Sequence, residues 1–66
     1  MERYYMVNSH LIQGKQVNRK VILRAKSDDS AKKRFDDNRK KDPSIQEAGL
    51  YRAKDKVCIA EYIGYI

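Results

Sequence analysis

Few side chains in this sequence are equipped for chemistry. Cys58 is the only cysteine and His10 the only histidine. A nucleophilic thiol needs an environment that lowers its pKa and a base within hydrogen-bond reach. A Cys58–His10 pair would be the single candidate, and no surrounding motif supports it. The expectation is that Cys58 is a buried, inert small residue and that His10 is a strand residue near a hairpin end. One Cys and one His do not make a zinc site. Asp28-Asp29 and Asp36-Asp37 are paired acids, but they lie in a segment where capping and ion pairing account for them. Gly14, Gly49 and Gly64 form no phosphate-cradling loop. The reading is a protein that is not an enzyme, with no cofactor and no metal, and that acts by binding.

The charged residues are more informative. The chain of 66 residues has 15 Lys+Arg against 9 Asp+Glu, a formal net charge of +6. Divided by segment, residues 1–26 carry a net +5, residues 27–42 a net +1, and the remainder none. The excess therefore sits in Arg3, Lys15, Arg19, Lys20, Arg24 and Lys26, not in the Lys-rich stretch that follows. Aromatic residues interleaved with cations on strands suit nucleic acid, because rings stack on bases and cations neutralise phosphate. The candidate nucleic-acid-binding residues are Tyr5, Lys15, Lys20, Arg24 and Lys26, with Tyr5 as a stacking surface. The alternative is a protein-binding regulator or inhibitor that works through an open sheet face and the apolar C-terminal strand.

Composition limits the class. Leu, Ile, Val and Phe make up 14 residues, just above the ~20% below which charged chains stay disordered. Interspersed signs of charge favour a folded domain. There is room for one domain, 1–66. No run of 18 apolar residues is present, so no membrane span is expected. The N-terminus lacks a signal-peptide pattern and a lone Cys rules out an internal disulfide, so a cytoplasmic location is the default.

The elements that position these residues follow from pattern. Residues 4–12 and 17–25 read as strands of a hairpin (4–25) around Gln13-Gly14-Lys15-Gln16. A four-residue turn pairs Met6 with Leu23 and Asn8 with Val21. It puts Tyr4, Met6, Asn8, His10, Arg19, Val21 and Leu23 on the core face, and Tyr5, Val7, Leu11, Lys20, Ile22 and Arg24 on the open one.

Residues 28–41 read as a helix. Ser27 is the N-cap, Asp28 and Asp29 meet the positive end of the helix dipole, Arg39-Lys40-Lys41 meet the negative end, and Pro43 stops it. Its four Asp–Lys pairs at i,i+4 predict a self-paired, solvated helix. Its only apolar residues, Ala31 and Phe35, form one narrow stripe.

Residues 46–54 and 57–63 read as two more strands joined by a two-residue turn at Asp55-Lys56. That turn places Ala48, Leu50, Arg52, Ile59, Glu61 and Ile63 on the core face, with Arg52 near Glu61, and Tyr51 and Tyr62 on the open face beside Tyr5. The tail from Val57 is apolar on both sides, as in a central strand or one that meets another chain. The expected fold is α+β, a small β-β-α-β-β domain with one helix packed on an antiparallel sheet. One helix with two apolar residues covers little of such a sheet, so a homodimer or another partner is expected to cover the rest.

Overall fold

The computed structural model describes residues 1–64. The order is β1 (Glu2–Ile12), β2 (Lys15–Ala25), α1 (Asp28–Lys41), β3 (Ile45–Arg52) and β4 (Cys58–Ile63). All four strands belong to one antiparallel sheet with spatial order β2-β1-β3-β4. The α+β expectation holds. Among the described residues no helix is long and apolar enough to cross a membrane.

The first hairpin turns more tightly than its sequence suggests. Gln13 (φ 52°) and Gly14 (φ 78°) form a two-residue turn. Positive φ at both positions gives a backbone twist that matches the flanking strands. Met6 therefore opposes Val21 and Asn8 opposes Arg19, not Leu23 and Val21. The slip is by two residues. Because side chains alternate with a period of two, the two faces of the hairpin remain as expected.

The second hairpin slips by one, and the outcome differs. Ala53 to Val57 form a five-residue loop, with Lys56 at φ 59° and its N–H donating to the Arg52 carbonyl at 2.8 Å. Asp55 Oδ1 accepts the Val57 N–H at 3.2 Å. A bulge follows, because Tyr51 opposes Cys58 whereas Leu50 opposes Ala60. Beyond it Ala48 faces Tyr62 and Gly49 faces Glu61. A one-residue slip turns a strand over, so Tyr62 lies on the helix side and Glu61 and Ile63 on the open side, the reverse of expectation. The expected Arg52–Glu61 pair does not form. Arg52 instead meets Asp28 at 3.1 Å and Asp55 at 3.3 Å. β4 is an edge strand, not a central one. The Tyr65-Ile66 end of the apolar tail lies outside the described residues.

The helix forms as its sequence directs. Ser27 Oγ accepts the Ser30 N–H at 3.2 Å, and the Asp42 N–H closes the far end on the Arg39 carbonyl. Ala31 and Phe35 are its buried residues, packed with Tyr4, Met6, Leu23, Ala25, Ile45, Ala48 and Leu50. None of the four i,i+4 Asp–Lys pairs closes to an ion pair among the described residues. Asp36 meets Arg39 at 4.0 Å, and Asp28 is used across the fold. Arg39 lies 4.3 Å from the Tyr62 ring centre, a cation–π contact.

Two polar clusters tie the layers together. Tyr4 is 1% exposed, and its hydroxyl donates to Asp28 Oδ1 at 2.8 Å. Burial and this acceptor push its pKa from 10.0 up to about 12. A phenol with a raised folded pKa contributes stability that is complete below its unfolded pKa and lost as pH rises through the folded one. Stability should therefore fall between pH 10 and 12, and Tyr4→Phe should remove that part of the decline. Circular dichroism melts across that range would check it, and an unchanged profile in the variant would overturn it.

His10 occupies the other cluster, at the start of β3. The Ser44 hydroxyl donates to Asp42 Oδ1 at 2.6 Å, so His10 Nδ1, 2.9 Å from Ser44 Oγ, is the donor in that contact. The Ser44 hydroxyl and backbone N–H lower the Asp42 pKa, with help from the charges of His10 and Arg19. Asn8 Oδ1 and His10 Nε2 are buried without a hydrogen-bond partner among the described residues. Such orphans weaken a fold, since a lost hydrogen bond at a buried polar atom costs about 1–3 kcal/mol.

Candidate nucleic-acid interface

β2 is an edge strand, and that decides where its cations point. With no neighbour on one side, its side chains reach solvent on both faces except at Leu23 and Ala25, and Lys15, Arg19, Lys20 and Arg24 are all exposed. Lys15 follows the turn directly. Lys26 is exposed in the short connection to the helix. Eleven residues separate Lys15 from Lys26, about 36 Å of extended chain. The five sequence-chosen residues therefore cannot converge on one small ligand. The cations line one long side of a molecule 37 Å in its greatest extent.

Arg19 belongs with them and was assigned to the core face. It lies on the helix side of β2, opposite Asn8, where a central strand would bury it and an edge strand does not. Arg34 and Lys41 stand nearby in the groove between β2 and α1, with Val21, Leu23, Asp37 and Asn38. Arg34 Nη1 donates to the Arg24 carbonyl and fastens the helix to this edge. Among the described residues none of Lys15, Arg19, Lys20, Arg24 or Lys26 takes part in a salt bridge, whereas Arg39, Arg52 and Lys54 each do.

Tyr5 is placed differently from the reading as a stacking platform. Its ring stacks on Tyr51 (centroids 5.1 Å, planes 12° apart), and Lys20 Nζ lies 4.6 Å from its centre. Both neighbours compete with a base for the ring. Tyr51 borders Cys58, whose charge, with burial and Glu61, raises the Tyr51 pKa. Glu61, opposite Gly49 on the same face, also opposes phosphate there. Tyr62 has left this face altogether.

Cys58 is exposed, not buried. It lies beside Tyr51 on the open face, whereas His10 is buried on the helix face, so the two cannot act together. Among the described residues no three His, Cys, Asp or Glu side chains group to hold a metal. Compared with known protein families, curated proteins and solved structures, the chain matches none.

Proposed function

We propose that this is a non-enzymatic nucleic-acid-binding module that grips the phosphate backbone along its β2 edge. The observation that carries the reading is the row of exposed cations on and beside that strand, none held in a salt bridge among the described residues. Lys15, Arg19, Arg24 and Lys26 make the contacts. Lys20 and Tyr5 engage each other on the open face and stand outside the interface. Unpaired cations on a long edge suit a linear polyanion, since each phosphate neutralised releases a counterion. Contacts to phosphate alone carry no sequence information, so binding through these cations is insensitive to sequence. We place the protein in the cytoplasm, where its lone exposed thiol stays reduced.

The salt dependence of binding tests this. Arg19→Ala/Arg24→Ala should keep the fold and weaken binding to all duplex sequences alike. The slope of log K against log salt should become shallower by about 2, one unit for each phosphate contact removed. Anisotropy titrations of labelled duplex DNA and single-stranded RNA would measure it. An unchanged slope removes β2 from the interface, and no binding at low salt removes the function.

A further inference from the structure

The face of the sheet away from the helix is left open by the fold, with Val7 and Ile22 exposed on it. The strand registers arrange it in rows. Lys20, Val7, Gly49 and Glu61 form one row across β2, β1, β3 and β4. Ile22, Tyr5, Tyr51 and Cys58 form the next. The first row has a cation at one end, a carboxylate at the other, and between them an aliphatic side chain beside a residue with none. Gly49 is buried, and Tyr51 leans across it so closely that an added Cβ would lie 2.9 Å from the ring. What remains is a hollow of about 220 Å³, bordered by Val7, Tyr51, Glu61 and Ile63. Val7 and Ile63 are exposed at its border, and Ile22, in the row beside Tyr5, is 61% exposed.

We propose that this face binds a second copy of the chain, face to face, about a two-fold axis parallel to the strands. That operation lays β2 of one copy on β4 of the other and β1 on β3. Lys20 then meets Glu61 of the second copy, Val7 faces the hollow over Gly49, and Tyr5 meets Tyr51. Each contact occurs twice, as an isologous interface requires. A two-fold axis across the strands would instead lay β2 on β2 and set cation against cation, so the charges select the first arrangement. Sheets packed in this way lie about 10 Å apart and within about 30° of alignment.

The area sets the strength. Four strands at about 4.8 Å and six residues at about 3.3 Å give roughly 400 Å² in plan on each copy, about 800 Å² in total, below the range of stable interfaces and in that of transient ones. The dimer is therefore a weak, transient one. It leaves Lys15, Arg19, Arg24 and Lys26 at its rims, so it does not depend on the nucleic-acid reading and fails or survives separately from it.

Sedimentation equilibrium from micromolar to millimolar concentration tests the proposal. The wild-type chain should pass from 7.8 kDa to twice that mass. Lys20→Glu and Glu61→Lys should each weaken association roughly tenfold or more, by setting like charges together. The double exchange Lys20→Glu/Glu61→Lys should recover most of the loss. Both positions are exposed, and circular dichroism confirms that each variant folds. Lys20→Glu lowers the net charge, which alone would favour association, so weakening reports the local contact. A monomer at all concentrations overturns the proposal. So does a dimer indifferent to Lys20→Glu, the result for pairing through the β4 edge, because Lys20 lies about three strand spacings, some 14 Å, from β4. Loss in both single variants without recovery in the double overturns the two-fold geometry.

Discussion

Phe35→Ala should cost about 3–5 kcal/mol and leave much of the chain unfolded. Phe35 is 2% exposed and, with Ala31, is one of the two buried residues of the helix. No other large apolar side chain on the helix can take its place in the core it shares with Met6, Leu23 and Leu50. A domain of this size has only about 3–10 kcal/mol of stability in total, so the loss is comparable with the whole. Phe35→Leu keeps most of the volume and should cost about 1–1.5 kcal/mol. Urea unfolding followed by circular dichroism would compare them. A loss below 1 kcal/mol for Phe35→Ala would mean that the helix is held by its polar contacts.

The next largest effect is expected at Asp28. Its carboxylate accepts the buried Tyr4 hydroxyl through one oxygen and meets the Arg52 guanidinium through the other. It also lies in the first turn of the helix, where negative charge is favoured. Asp28→Ala strands a buried phenol and releases Arg52, at a cost of about 2–3 kcal/mol. Tyr4→Phe should cost about 1 kcal/mol, since only one hydrogen bond goes and no donor is left stranded. In the Tyr4→Phe background, Asp28→Ala should cost less than in the wild type, and the shortfall measures the coupling. Equal costs in both backgrounds would show that the hydroxyl contact contributes nothing.

What could be read from the residues depended on how local the cause was. The helix ends at its predicted limits because Ser27, Asp28, Asp29 and Pro43 act within one turn of themselves. The faces of the first hairpin survived a wrong turn length, because a slip of two preserves alternation. β4 did not survive, because Lys56 in a left-handed conformation and the bulge at Ile59 shift the strand by one, and no Gly or Asn announces either. The position of a strand within the sheet left no local mark. Apolar on both sides, β4 reads as central and is an edge. Arg19 was set on a core face that an edge strand leaves open. Three of the cations proposed for the interface, Lys15, Arg24 and Lys26, were chosen from charge alone, whereas the enclosure of Tyr5 by Tyr51 and Lys20 depends on a pairing between β1 and β3 that no local pattern encodes.

That pairing has a kinetic consequence. β1 is central, but its two neighbours come from very different distances along the chain. β2 joins it through a two-residue turn, whereas opposing residues such as Tyr4 and Arg52 are 48 positions apart. Closing the longer loop must precede the contacts that reward it, so β1–β3 pairing should come late and set the folding rate. Until it does, the first 25 residues form a hairpin with Tyr4, Met6 and Leu23 uncovered on one face and Val7 and Ile22 on the other. For that interval the edge of β1 that ends up in the middle of the sheet is bare, and it is the one stretch of strand edge in the hairpin without the cations that protect β2. Association errors during synthesis or refolding would begin there, and they would be suppressed by whatever speeds the docking of β3, not by changes to either edge of the finished sheet.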